Sequence, residues 1–244
     1  MIIPGVLNGG LTLIGPAADG SDGQFLKTNG SGVLSFDDAG GGSGPNLFPN
    51  YTAPVDGDFA WINQGGAAIS VADDDSIALY GPTPGASYSL RIRKKAAPAT
   101  PYTITAAFLG VWNFSVTGNL SQFGLIWRQA SDGKCITHAP MLQSNTSGGS
   151  PLSYWAVQKW TNPTTFSAAY SGERSNFPPV SPVLWLRITD NGTNRICSFS
   201  ADGINFIASH TVGRTDFLTA DEVGFFVNAY SADVTATLLH WRQT

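Results

Sequence analysis

Three turn signals constrain this chain more than any other feature. Ser131-Asp132-Gly133, Asp190-Asn191-Gly192 and Ala201-Asp202-Gly203 each stand between runs in which apolar and polar residues alternate. Asp-Gly and Asn-Gly reach positive φ cheaply, so between alternating runs they mark β-hairpins. The runs cover residues 87–93 (SYSLRIR), 102–108 (YTITAAF), 122–129 (QFGLIWRQ), 134–138, 183–189 (VLWLRIT), 195–199, 204–209, 222–230 and 234–242. No amphipathic helical period interrupts them. Many short strands with turn signals between them predict an all-β sandwich or barrel.

Composition removes several functions. The 244 residues include 13 Lys+Arg and 17 Asp+Glu, 12% charged in all. That is about half of the roughly 25% found in soluble domains. A net charge of -4 offers no basic face for a phosphate backbone, so nucleic acid is not an expected partner. Hydrophobic content of 42% is that of a folding chain and not of a disordered one. No apolar run reaches the roughly 20 residues needed to span a bilayer, and membrane insertion is not expected. The first residues, MIIPGVLNGG, lack a basic n-region and a small-residue cleavage site, so they do not read as a secretory signal. Without one, the six N-x-S/T sequons (Asn29, Asn50, Asn113, Asn119, Asn145, Asn191) read as accidents of composition.

The chain divides at residues 40–44, GGGSG, a flexible linker composition. We read an N-terminal arm at 1–39, a linker at 40–46 and one domain at 47–244. Within that domain, residues 183–209 (VLWLRITDNGTNRICSFSADGINFIAS) resemble the concanavalin A-like, laminin-G-like jelly roll. In that family W-L-R-I is a strand, D-N-G a turn, and S-x-D-G-x-x-F joins two strands. QFGLIWRQASDGKCITHAP and DEVGFFVNAYSADVTATLLHWRQ are similar to an earlier hairpin and to the closing strands of the same family. The resemblance implies two antiparallel sheets packed face to face, with Asp202-Gly203 as a plain turn.

Residues 19–36, DGSDGQFLKTNGSGVLSF, resemble a short unit, G-x-x-G-Q-x-L-x-x-N-G-x-G-x-L-x-W/F, of bacteriophage fibres and other virion appendages. Phe36 stands where Trp is usual. The physical reading agrees: two short strands flank an Asn29-Gly30-Ser31-Gly32 turn. A lone hairpin is marginal in water, so Phe25, Leu26, Leu34 and Phe36 are expected to pack against copies of the arm. The fibre resemblance implies a homo-oligomer, with three copies as the expectation.

Catalytic groups are sparse. A glycosidase needs two carboxyls about the scissile bond, and the chain has only two glutamates, Glu173 and Glu222, each without a carboxylate two residues away. His138, His210 and His240 lie far apart, and no nucleophile elbow, phosphate loop or H-E-x-x-H occurs. No enzyme activity and no cofactor are expected. Asp73-Asp74-Asp75 is the densest acidic cluster, but consecutive aspartates do not converge on one ion, so a solvated turn is preferred to a calcium site. Cys135 and Cys197 belong to no C-x-x-C pair; both a pair of buried thiols and a disulfide fit their placement. The aromatic-amide stretch 151–163 (PLSYWAVQKWTNP), after the Gly/Ser-rich 144–150, is the candidate ligand site. Tyr154, Trp155 and Trp160 would stack on sugar rings, and Gln158 and Asn162 would bond hydroxyls. The alternative is a strand whose aromatics pack inward.

The sequence thus predicts a non-enzymatic phage virion protein, a head fibre, capsid decoration or tail fibre. Residues 1–44 would join it to other virion proteins, and its sandwich would present a surface for host glycans. A free carbohydrate-binding module is the alternative.

Overall fold

A computed structural model of the chain describes residues 6–7, 11–12, 24–28, 31, 33–38, 51–85, 87–112, 120–143, 152–170 and 183–244. The 40–44 linker, the 29–30 turn, Glu173, the 144–150 stretch and the sequons at Asn29, Asn50, Asn113, Asn119 and Asn145 lie outside these residues. The chain forms two compact units, Met1–Leu47 and Phe48–Thr244.

In the first unit, β1 (Val6–Leu7) pairs with β2 (Leu11–Thr12), and β3 (Gln24–Thr28) pairs antiparallel with β4 (Leu34–Asp38). The register sets Leu26 opposite Phe36 and Phe25 opposite Asp37. Leu34 and Phe36 are half-buried, whereas Val33 and Ser35 are exposed, the period of two of a strand with one apolar side.

The second unit is a jelly-roll β-sandwich of two antiparallel seven-stranded sheets. Its strands are β5 (Ala60–Ile62), β6 (Ala68–Val71), β7 (Ile77–Gly81), β8 (Leu90–Ala96), β9 (Tyr102–Trp112), β10 (Leu120–Arg128) and β11 (Cys135–Gln143), followed by β12 (Leu152–Asn162), β13 (Thr165–Ala169), β14 (Val183–Asp190), β15 (Asn194–Ser200), β16 (Ile207–Gly213), β17 (Glu222–Asn228) and β18 (Val234–Gln243). Sheet I runs in the order β13-β12-β11-β10-β17-β8-β5, and sheet II in the order β16-β15-β14-β9-β18-β7-β6. The central strands of both sheets pair residues about a hundred positions apart, such as Gln122 with Asn228.

The turns form where the dipeptides stand. Gly192 has φ 91° and Gly203 φ 73°, both in the left-handed region. Gly203 is also held by space, since a Cβ there would lie 2.6 Å from the Trp185 ring. The Asp202 loop is longer than the alternation of 204–209 predicts, and β16 starts only at Ile207. The reason is local: the Asp202 carboxylate accepts from the backbone N–H groups of Ile204 (2.9 Å) and Asn205 (2.8 Å), which removes both from the ladder. Bonds from Ser200, Asn205 and Ile204 hold this carboxyl well below the usual carboxylate range.

Between the sheets lies the main core. Sheet I contributes Phe123, Leu125, Trp127, Trp155, Val157, Val223, Phe225 and Val227; sheet II contributes Ile104, Phe108, Leu186, Ile188, Ala236 and Leu238, among others. His138 crosses this core, its Nε2–H donating to the Ser198 carbonyl at 2.8 Å. A second apolar cluster lies on the other face of sheet I: Leu90, Ile92, Ile126, Cys135, Ala139, Trp160 and Phe226, with Tyr88 and Phe166 packed on it. Cys135 belongs to this cluster and Cys197, on β15 of sheet II, to the main core, so sheet I separates the two thiols and they form no disulfide.

Candidate functional site

Side chains on the outer face of sheet I lie in rows set by register. One row is Tyr154, Met141, Gln122, Asn228 and Leu90, from β12 across to β8. The next is Ala156, Ala139, Gly124 and Phe226, and the third is Gln158, Thr137, Ile126 and Gly224. From β12 to β10 the middle row, Ala156, Ala139 and Gly124, is a trough of small residues. At Gly124 an added Cβ would lie 3.1 Å from that of Ala139, and closer still to backbone. Because the trough is shallow, Gln122 and Gln158 reach each other across it. The Gln122 Nε2 donates to Gln158 Oε1 at 2.9 Å.

The amides form a directed chain. The Ser89 N–H donates to Asn228 Oδ1 at 3.1 Å, which turns Asn228 Nδ2 towards Gln122 Oε1 at 3.4 Å. Gln122 passes the bond on to Gln158 Oε1. Among the described residues the Gln158 Nε2 then meets only the Met141 thioether, 3.9 Å away, a weak acceptor. Its N–H groups therefore retain donor capacity at the edge of a cavity of about 110 Å³. Tyr88, Leu120, Gln122, Met141, Tyr154, Gln158, Phe166 and Asn228 line this cavity. None of these side chains is charged. Drug-sized pockets run to roughly 300–1,000 Å³, so this one fits one edge of a ligand and not the whole of it. Aromatic rings wall it: Tyr88 stands 5.6 Å from Phe166 and 5.0 Å from Tyr230.

The structure divides the five residues of the 151–163 stretch. Tyr154 and Gln158 line the cavity. Trp160 shares their face but lies beneath, fully buried, with its Nε1–H on Thr137 Oγ1 at 3.1 Å and Tyr88 and Phe166 set edge-on above it. Trp155 points the other way, into the main core, where it stacks on Phe199 at 4.5 Å. Asn162 caps the β12–β13 turn, accepting from Thr164 N at 2.9 Å. So neither tryptophan has a ring face turned to a ligand, because each fills one of the two apolar cores. Gln122, Asn228, Tyr88, Phe166, Leu120 and Met141 complete the cavity and were not singled out in the sequence.

Other candidates resolve as structure. Lys94 Nζ bonds Glu222 at 2.6 Å, and Arg128 bonds the other carboxylate oxygen. Burial pushes the Glu222 carboxyl up, but the bonds from Lys94 and Arg128 outweigh it and hold it below its ordinary range. Asp74 accepts from Ser76 N at 3.1 Å, and Asp75 takes φ 62°, so the aspartate run makes a tight turn. Among the described residues no group of three His, Cys, Asp or Glu could hold a metal ion. Burial raises the Cys135 thiol to about 12, which leaves it protonated at neutral pH.

Solved structures share the two-sheet architecture. A functionally unknown protein from Saccharomyces cerevisiae is 14% identical with a TM-score of 0.52, over 77% of this chain and 96% of that one. A GH43 glycoside hydrolase engineered for endo-xylanase and exo-arabinofuranosidase activity is 10% identical with a TM-score of 0.52. That match covers 98% of this chain, which spans only 43% of the hydrolase. A legume lectin-like domain from Entamoeba histolytica is 9% identical with a TM-score of 0.47, over 77% and 89% of the two chains. No family model and no curated protein matches. At such identities the likeness is one of fold alone, a two-sheet jelly roll. The fold alone does not select a function.

Proposed function

We propose that this chain is a non-enzymatic glycan-binding protein whose sandwich recognises an uncharged sugar at the outer face of sheet I. The observation that carries this reading is the amide chain from Asn228 through Gln122, which fixes Gln158 Nε2 as a donor beside aromatic walls. A sugar presents hydroxyl acceptors along its edge and apolar C–H groups on its face. The cavity offers the complement of both. The jelly-roll fold is compatible with the reading without selecting it. Glu222, fixed between two cations, is a poor proton donor, so the hydrolase likeness is not carried over to this chain.

We place the sandwich on a phage particle, as a head fibre, capsid decoration or tail fibre. The resemblance of residues 19–36 to virion-appendage units supports this. Phe25, Leu26, Leu34 and Phe36 would then join copies of the arm, three by expectation, and residues 1–44 would reach other virion proteins. The alternative is a free carbohydrate-binding module, favoured by the fact that the cavity lies wholly within the Phe48–Thr244 unit. Two measurements decide. On an array of neutral glycans the full chain should bind a defined subset, and Tyr154→Ala should lose that binding. Absence of binding across the array overturns the glycan reading. Solution mass should fall to that of a monomer when residues 1–44 are removed, and an unchanged mass overturns the role of the arm.

A further inference from the structure

On the outer face of sheet II two arginines meet no acid among the described residues. Register places Arg187 of β14 and Arg242 of β18 on either side of Thr105 of β9, on one face. They stand two strand spacings apart, about 10 Å between backbones. Arg187 is fixed in place: its Nε donates to Thr105 Oγ1 at 3.1 Å, and its guanidinium carbon lies 3.5 Å from the centre of the Phe206 ring. That leaves its Nη1 and Nη2 edge without an acceptor among the described residues. The Arg242 side chain has no hydrogen bond or ion pair with the described residues, and its Nε is shielded from solvent without a partner.

Most other described cations of the sandwich are treated differently: Arg91 and Arg195 bond the backbone carbonyls of Asn63 and Asp216, and the remaining seven find an acid. Arg93, Lys94, Lys95, Arg128, Lys134, Lys159 and Arg214 each meet a carboxylate. Acids outnumber bases in the chain, 17 to 13, so a missing partner is not for want of carboxylates. Burial and the Arg242 charge both lower the Arg187 pKa, the mark of two like charges drawn together without compensation.

We propose that Arg187 and Arg242 form a binding site for a tetrahedral oxyanion, a sulfate or phosphate monoester group. The open edge of a guanidinium matches two oxygens of such a group in parallel. A divalent oxyanion has charge and oxygens for both arginines, whereas a single carboxylate matches one. Phe206 and Thr105 hold Arg187 ready, so little side-chain freedom is lost on binding. The site lies on the sheet opposite the amide cavity and does not depend on the function proposed for it.

The test is calorimetric titration of the full chain with sodium sulfate, sodium phosphate, a monosaccharide sulfate and a monosaccharide phosphate, with ionic strength held by sodium chloride. Saturable binding is expected for the oxyanions. Arg242→Gln should weaken it about tenfold or more, since a charge-assisted hydrogen bond is worth roughly 1.5–3 kcal/mol. Arg187→Lys, which keeps the charge but loses the fork, should also weaken it. The two ester arms identify which oxyanion is preferred. Should Arg187→Lys fail to fold, the half-exposed Arg242 carries the test alone. Binding that is no stronger than that of chloride, or that survives Arg242→Gln unchanged, overturns the proposal.

Discussion

The outer faces of the two sheets follow opposite rules. In sheet I, β17 is buried at every position and β10 at all but its two ends. In sheet II, β18 alternates buried and half-buried along most of its length, the usual pattern of an antiparallel sheet with one wet face. Sheet I departs from that pattern because Tyr88 and Phe166 lie over it and shield a second core. The difference shows what shielding does to polar groups. On sheet II, Thr and Arg side chains can meet water. On sheet I, Asn228 donates to Gln122 and Gln122 to Gln158, in a setting where hydrogen bonds are stronger and unpaired groups costlier.

Mutation can break this comparison. Trp155→Ala empties the main core, and Trp160→Ala empties the outer one. If both are cores, each should cost about 3–5 kcal/mol in urea unfolding. A cost below about 1 kcal/mol for Trp160→Ala would reduce the outer cluster to a surface feature.

Acid probes the inner face. Burial lowers His138 to about 4 in the folded chain, against 6.5 unfolded. The unfolded chain therefore takes up a proton below pH 6.5 that the folded chain refuses until about pH 4. Stability is intact above pH 6.5 and falls as the pH drops towards 4, by about 3 kcal/mol at 1.36 kcal/mol per unit. His240, which burial also lowers to about 4, acts in the same direction. The carboxylates held below their ordinary range lose their contribution only below roughly pH 4.5. Urea midpoints at pH 7.5 and 4.5 should differ, and His138→Gln should shrink the difference.

Gln158→Ala sharpens the contrast between the faces. It leaves Gln122 Nε2 without its carbonyl partner and should cost about 1–2 kcal/mol of stability as well as glycan binding. The smallest effect belongs to sheet II. Val111 is 64% exposed, and Val111→Thr should stay within about 0.5 kcal/mol.

Most strands of both sheets were legible because alternation and Asp-Gly turns are local signals. β5, β6, β7 and β13 were not, since each has five residues or fewer, too few for an apolar pattern to stand out. The candidate site was half legible. The parity of residues 154, 156, 158 and 160 already puts Tyr154, Gln158 and Trp160 on one face and Trp155 on the other, a signal available to any reader of the sequence. Nothing local reveals that Gln122 and Asn228, 106 positions apart, stand side by side, or that Tyr88 covers Trp160. Those neighbours exist only through the β10–β17 pairing and the segment before β8.

The strand order has a consequence for synthesis. β17 and β18 come last along the chain, yet each sits inside a sheet: β17 between β8 and β10, β18 between β7 and β9. While a ribosome is still making residues before 222, both sheets have an open seam flanked by apolar strands. Neither half can close until the final two strands thread into place. Non-local pairing of this kind slows folding and leaves unpaired edges exposed meanwhile, so a nascent chain of this protein is aggregation-prone until residues 222–243 have been made and paired.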